Sequence, residues 1–170
     1  MQIDRKYRIE KCVSTDATRA NLTNIFVTKR HAMATNGHML AVVPVKSESG
    51  DTAGWLTPAA LTQARKVTPK SAGDVVISLN GAQELIDGTR IVRPTEEKPP
   101  KFVHLLRLAH KDREFKIGLD AAKLKALADA LGSDELVLDF GSPKAAILVT
   151  PFNSEAGTVG LLMPLRIDNR

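Results

Sequence analysis

The chain has 170 residues, 43% of them hydrophobic and 25% charged, which suffices for a buried core in one large or two small domains. Aromatic residues make up only 4%, so Val, Leu, Ile and Ala must build that core, and the single cysteine, Cys12, excludes an intrachain disulfide. A formal charge of +5 and a pI near 9.5 permit contact with polyanions without requiring it, and no apolar run reaches the roughly 18 residues of a membrane span.

One cysteine suits a reducing compartment, and Cys12 reads as an inert thiol in a strand. The opening residues, Met1-Gln-Ile-Asp-Arg-Lys6, lack the apolar core of a signal peptide. The expectation is a soluble cytoplasmic protein with no membrane partner.

In chain order, the first strong signal is a hairpin over Ile25 to Val45. Apolar segments 24–28 and 32–35 lead into Asn36-Gly37, and 38–45 leads away. Asn-Gly between apolar runs favours a tight turn, since both turn residues need positive φ. Residues 46–53 read as a polar loop. A helix is expected from Leu56-Thr-Pro-Ala-Ala-Leu61, with Thr57 as cap and Pro58 at the first helical position, ending near Val67 to Pro69. Three strands follow, 74–79, 82–86 and 89–93, joined by Asn80-Gly81 and Asp87-Gly88. Residues 94–101 hold three prolines and read as a linker. Periodicity leaves 102–108 open between strand and helical turn.

Then the pattern returns. Leu119-Asp-Ala-Ala-Lys-Leu124 echoes Leu56 to Leu61 sixty-three residues later. Asp120 is the expected cap, and Leu124, Leu127, Ala128 and Leu131 share one helix face. Gly132 suits the C-terminal end. Strands are expected at 135–140, 145–149 and 158–167. A helix followed by a three-strand meander thus occurs twice, which implies an α+β protein with helices covering antiparallel sheet. The final segment, Gly157 to Ile167, is apolar but carries Pro164. Proline cannot donate a ladder hydrogen bond, so this reads as an edge or bulged strand open to an extended peptide.

Ala34-Thr-Asn-Gly-His-Met-Leu-Ala-Val42 resembles the A-T-D-G-H-R-L-A segment of the bacterial DNA sliding clamp, the beta subunit of DNA polymerase III. The ending resembles that family's V-V-M-P-M-R-L. The resemblance implies a DNA-clamp-like fold of repeated helix–meander units. Residues 1–93 look like the middle clamp domain without its first helix, 94–113 like a linker and connecting segment, and 114–170 like half of the last domain. The chain is under half the usual clamp length, so any ring needs a different subunit count. Asn36 and Met39 stand where the family has Asp and Arg.

The resemblance further implies a non-enzymatic replication or repair accessory that docks partner peptides in an apolar pocket. Carried over position by position, the pocket candidates are Leu22, Thr35, Gly37, His38, Met39, Leu40, Pro100, His104, Leu105, Leu161, Leu162, Met163, Pro164, Leu165 and Arg166. Expected partners are clamp-binding motifs of polymerases or other replication and repair proteins, sequence-independent duplex DNA, and further copies of the chain in a homo-oligomer. Flexible cations suit phosphate contact, and the candidates are Arg65, Lys66, Lys70, Lys123 and Lys125. A binding module that never encircles DNA is the alternative, and a small α+β enzyme the weaker one. No P-loop, G-x-S-x-G, H-E-x-x-H or C-x-x-C occurs, and His31, His38, His104 and His110 lack metal-ligand spacing. No catalytic residue, metal or cofactor is expected.

Overall fold

The computed structural model describes residues 1–80, 82–85, 87–91, 98–111, 115–152 and 158–167. The chain is a mixed α+β protein with antiparallel sheets. It divides into two compact units, Met1–Leu105 and Leu106–Arg170. No described helix is long and apolar enough to cross a membrane.

In the first unit, β1 (Gln2–Asp4) pairs with β6 (Asp74–Asn80), which continues through β7 (Ala82–Leu85) to β8 (Arg90–Ile91). A second sheet has the order β4 (Leu40–Pro44), β3 (His31–Thr35), β2 (Ile25–Val27), β5 (Gly54–Leu56). Gln2 and Lys46 exchange backbone hydrogen bonds of 2.7 and 3.0 Å, which link the two sheets. Helix α1 (Pro58–Val67) starts where expected: the Thr57 hydroxyl accepts from the Ala60 amide at 3.0 Å, a cap typically worth about 1 kcal/mol. Its Ala60, Leu61 and Ala64 enter a core with Ile3, Ile25, Leu56 and Ile77.

Several local expectations are corrected. Just before the Thr57 cap lies an unexpected strand, β5, whose Gly54, Trp55 and Leu56 pair with Val27, Phe26 and Ile25. Cys12 is not in a strand but ends a 3-10 turn (Ile9–Cys12), because Ile9 must reach the core within a short connection. Thr35↔Leu40 is the last pair of the hairpin, so the turn has four residues, 36–39, rather than two. Gly88, at φ +82°, makes the turn between β7 and β8 as expected. Gly81, Ile86 and residues 92–97 of the expected meander and linker lie outside the described residues, as does Gly157.

The segment left open between strand and helix is helical, α2 (Phe102–Lys111). In the second unit α3 (Ala121–Leu131) is capped by Asp120, whose carboxylate accepts from the Ala122 and Lys123 amides. Gly132 ends it at φ +69°. β9 (Leu136–Asp139), β10 (Ile147–Pro151) and β11 (Gly160–Leu162) form a sheet of order β11-β10-β9. Ile147, Val149 and Leu162 are its buried centre, packed against Leu124, Leu127 and Leu131 of α3. The last strand is shorter than expected. It stops at Leu162 because Pro164 cannot continue a ladder, and the chain then makes one isolated bridge, Leu165 to Gly118.

Candidate functional site

The turn after β3 is held by its own polar side chains. Asn36 Oδ1 accepts from the His38 and Met39 amides at 2.9 and 3.0 Å. Thr35 Oγ1 donates to the Met39 carbonyl at 2.7 Å and accepts from the Gly37 amide at 3.1 Å. Gly37 sits at φ +93°, a conformation that penalises any side chain. These bonds push His38 and Met39 into solvent, with Leu40 half-buried behind them. The Met39 sulfur lies 4.0 Å from the Cys12 thiol. Leu22 is half-buried in the preceding connection, where its carbonyl accepts from the Ser14 amide. Pro100 is half-buried and its carbonyl accepts from the Phe102 amide, while His104 and Leu105 are exposed on α2. So Thr35, Gly37, His38, Met39 and Leu40 form one turn of the first unit.

The second cluster belongs to the second unit. β11 is an edge strand, bonded to β10 alone among the described strands. Leu162 is 5% exposed and belongs to the core, whereas Leu161 and Met163 are 67% and 64% exposed. The alternation follows from the pleat: one face meets α3 and the other meets solvent. Gly160 makes the close packing possible, since a Cβ there would lie 2.8 Å from Leu127 Cδ1. Past Pro164, the Leu165 amide donates to the Gly118 carbonyl at 2.8 Å, and Leu165, Arg166 and Ile167 are exposed.

Two concavities flank this segment. A shallow groove of about 500 Å³ runs between α3 and β11, walled by Ala126, Leu127, Ala130, Leu161 and Leu162, with Lys123 at its border. A cleft of about 890 Å³ lies beside Met163 to Ile167, closed by Lys116, Pro143 and Lys144. Met163 borders both. Lys116, Pro143 and Lys144 were not among the sequence candidates. They come from two separate loops, and no local pattern links them.

The candidate DNA cations fare unequally. Arg65 is corrected: it is 8% exposed and cannot face a phosphate. Its guanidinium donates to the carbonyls of Arg5 and Tyr7 and meets the Glu10 carboxylate at 3.3 Å. Position 65 lies four residues after Leu61, on the buried stripe of α1, which is the signal that marks it as interior. Lys66 and Lys70 are exposed. Lys123 lies 3.8 Å from Asp120. Lys125 bonds Asp129 at 2.5 Å and Asp134 at 3.4 Å, and the Asp129 hydrogen bond leads the effects that raise its pKa. Among the described residues, no group of three or more His, Cys, Asp or Glu is placed to hold a metal ion.

Comparison with protein-family models, with curated proteins and with solved structures found no match.

Proposed function

We propose that the chain is a sliding-clamp-like accessory of DNA replication or repair that docks short peptide segments of polymerases or other replication and repair proteins. On this reading it is a non-enzymatic, cofactor-free cytoplasmic protein. It works as a homo-oligomer that contacts or encircles duplex DNA without sequence preference. The clamp-like repeat belongs to the same proposal, and its support is the shared element order: α1 precedes β6-β7-β8, and α3 precedes β9-β10-β11.

The observation that carries the reading is the uncovered apolar edge formed by β11 and the residues after it. Leu161 on β11 and Met163, Leu165 and Ile167 after it are all exposed, and among the described strands β11 pairs on one side only, which leaves the other for an incoming chain. An extended peptide gains main-chain hydrogen bonds there and apolar contacts beside it. Leucine and methionine give such a surface enough adaptability to accept several partner sequences.

Titration calorimetry with the pentapeptide Gln-Leu-Ser-Leu-Phe tests it. Affinity in the micromolar range, about −8 kcal/mol, is expected. Leu161→Asp and Met163→Asp are expected to abolish it, because each would place a carboxylate in the apolar contact. Both positions are exposed, so the fold survives; Leu162→Asp is unsuitable because it charges the core. No binding across a panel of such peptides would overturn the docking reading.

One observation favours a second reading, a module that recruits or sequesters partners without encircling DNA. Arg65 is interior, and Lys123 and Lys125 already face aspartates. Light scattering over a range of concentrations separates the two. A strictly monomeric protein would remove the ring and leave the module.

A further inference from the structure

We infer that the cleft beside Met163 to Ile167 is a carboxylate-reading subsite. The partner segment that docks on the second unit combines apolar anchors with a neighbouring cluster of acidic residues. This rests on the peptide-docking reading and names the chemistry of its ligand.

The charge distribution carries the inference. Three cations, Lys116, Lys144 and Arg166, line the cleft, and no described carboxylate does. All three are exposed, and none takes part in an ion pair among the described residues. The lysines of α3 in the same unit differ: Lys123, which borders the groove, faces Asp120, and Lys125 faces Asp129 and Asp134. Among the described residues, unpaired positive charge is therefore concentrated at one end of the docking segment.

The backbone fixes that arrangement. The Leu165 amide is bonded to the Gly118 carbonyl, and because the bridge is antiparallel, Arg166 and Lys116 lie on its two segments beyond the same end. A Cβ at Gly118 would approach both Leu165 Cβ and Ile167 Cγ1 at 3.1 Å, so the glycine lets the two strands close. The groove along α3 and the cleft share Met163, so one extended ligand can run through both.

The two stretches demand different ligand chemistry. Along β11 a peptide can add as a strand and bury apolar side chains against Leu161, Ala126 and Ala130. At Pro164 the ladder must stop, because that residue has no N–H. Beyond it, recognition passes to side chains, and those are cationic. A peptide fits better than a nucleic acid because Met163, Leu165 and Ile167 lie among the cations. A phosphate backbone gains nothing from apolar neighbours, whereas an acidic peptide with apolar anchors uses both.

Fluorescence anisotropy on the full chain tests this with labelled Gln-Leu-Ser-Leu-Phe, the same peptide with three glutamates added at either end, a hexaglutamate and a short DNA duplex. One of the two acidic extensions is expected to tighten binding about tenfold at low salt. That gain is expected to vanish in Lys116→Glu/Lys144→Glu and in about 0.5 M salt, while the unextended peptide binds the variant unchanged. Both lysines are exposed, so an unchanged thermal melt will show that the fold is intact. Equal affinity of extended and unextended peptides would overturn the subsite and leave docking standing. No binding by any of the three anchored peptides would overturn docking and the subsite together. Hexaglutamate or duplex binding as tightly as the best extended peptide would overturn it in favour of a general polyanion patch.

Discussion

The guanidinium of Arg5 donates to the main-chain carbonyl of Arg65 at 3.2 Å, and the guanidinium of Arg65 donates back to the carbonyl of Arg5 at 2.8 Å. Arg5 also reaches the carbonyls of Thr68, Pro69 and Ala72. These lie at and beyond the end of α1, where helix carbonyls lack intrahelical partners. A cation there also opposes the negative end of the helix dipole. The clasp thus fastens the N-terminal strand to the helix that covers it, and like charges are tolerated because each guanidinium faces carbonyl dipoles.

Arg65→Ala is therefore expected to lower stability by about 3 kcal/mol, since it removes charge-assisted hydrogen bonds and leaves buried carbonyls unpaired. Arg65→Lys is expected to recover less than half of that, because an ammonium cannot span the fork of acceptors. Urea unfolding measures both. A loss below about 0.5 kcal/mol for the alanine variant, the range of an ordinary surface change, would contradict the clasp.

Asp51 gives the stability a pH dependence. Its side chain is 7% exposed and pairs with the Met1 ammonium. It accepts from the Glu48 and Leu79 amides at 2.9 and 3.2 Å. Desolvation pushes its pKa up, but the ammonium and the two amides together outweigh that, and the net direction is down. A depressed folded pKa means stability present above the unfolded value of about 3.9. That contribution disappears as pH falls through the lower folded value. Asp51→Asn is expected to cost about 1–2 kcal/mol at pH 7, with the difference from wild type shrinking progressively below pH of about 4. Denaturation at several pH values checks this, and a pH-independent difference would contradict it.

The second unit depends on one close approach. Leu127 Cδ1, Cδ2 and Cγ would all lie within 3.2 Å of a Cβ at position 160, so Gly160→Ala displaces the whole isobutyl group rather than its tip. Overpacking of this kind costs about 1–3 kcal/mol. Leu127→Ala is expected to be destabilising alone, yet the double variant to lose less than the sum, because the smaller side chain makes room. A double-mutant cycle measures that coupling, and strict additivity would mean that the contact does not limit the packing.

Much of this architecture was legible because its signals are local. Thr57, Asp120 and Gly132 each act within one helical turn, and Asp87-Gly88 acts within one hairpin. The features that escaped depend on distant partners. β5 has only three residues, and its identity as a strand comes from pairing with β2, about thirty positions earlier. Arg65 looked like one of a pair of surface cations with Lys66; its spacing from Leu61 places it on the buried stripe, but the partners that make its burial tolerable, the carbonyls of residues 5 and 7 and the Glu10 carboxylate, are distant in sequence. At the candidate site, the exposed edge at Leu161 and Met163 follows from alternation and Pro164. The cationic cleft does not, since Lys116 and Lys144 meet there through the fold alone.

DNA contact is expected to follow the cations that remain available. Lys66 and Lys70 are exposed and form no ion pair among the described residues. Lys123 and Lys125 are held by Asp120, Asp129 and Asp134, so part of their field is already cancelled. Duplex binding is expected to be weak, indifferent to sequence and steeply reduced by salt, because neutralising phosphates releases counterions. Lys66→Glu/Lys70→Glu is expected to weaken it more than Lys123→Glu/Lys125→Glu. For every phosphate that a variant no longer neutralises, the salt slope falls by about 0.9. The α3 double variant also sets two glutamates beside those aspartates, so its melting temperature must be measured alongside. Peptide affinity is expected to survive the α1 changes, since the docking edge belongs to the other unit. Anisotropy titrations at several salt concentrations decide the matter. Sequence-specific binding, or binding insensitive to salt and to all four lysines, would overturn the DNA-contact reading and favour the module that never encircles a duplex.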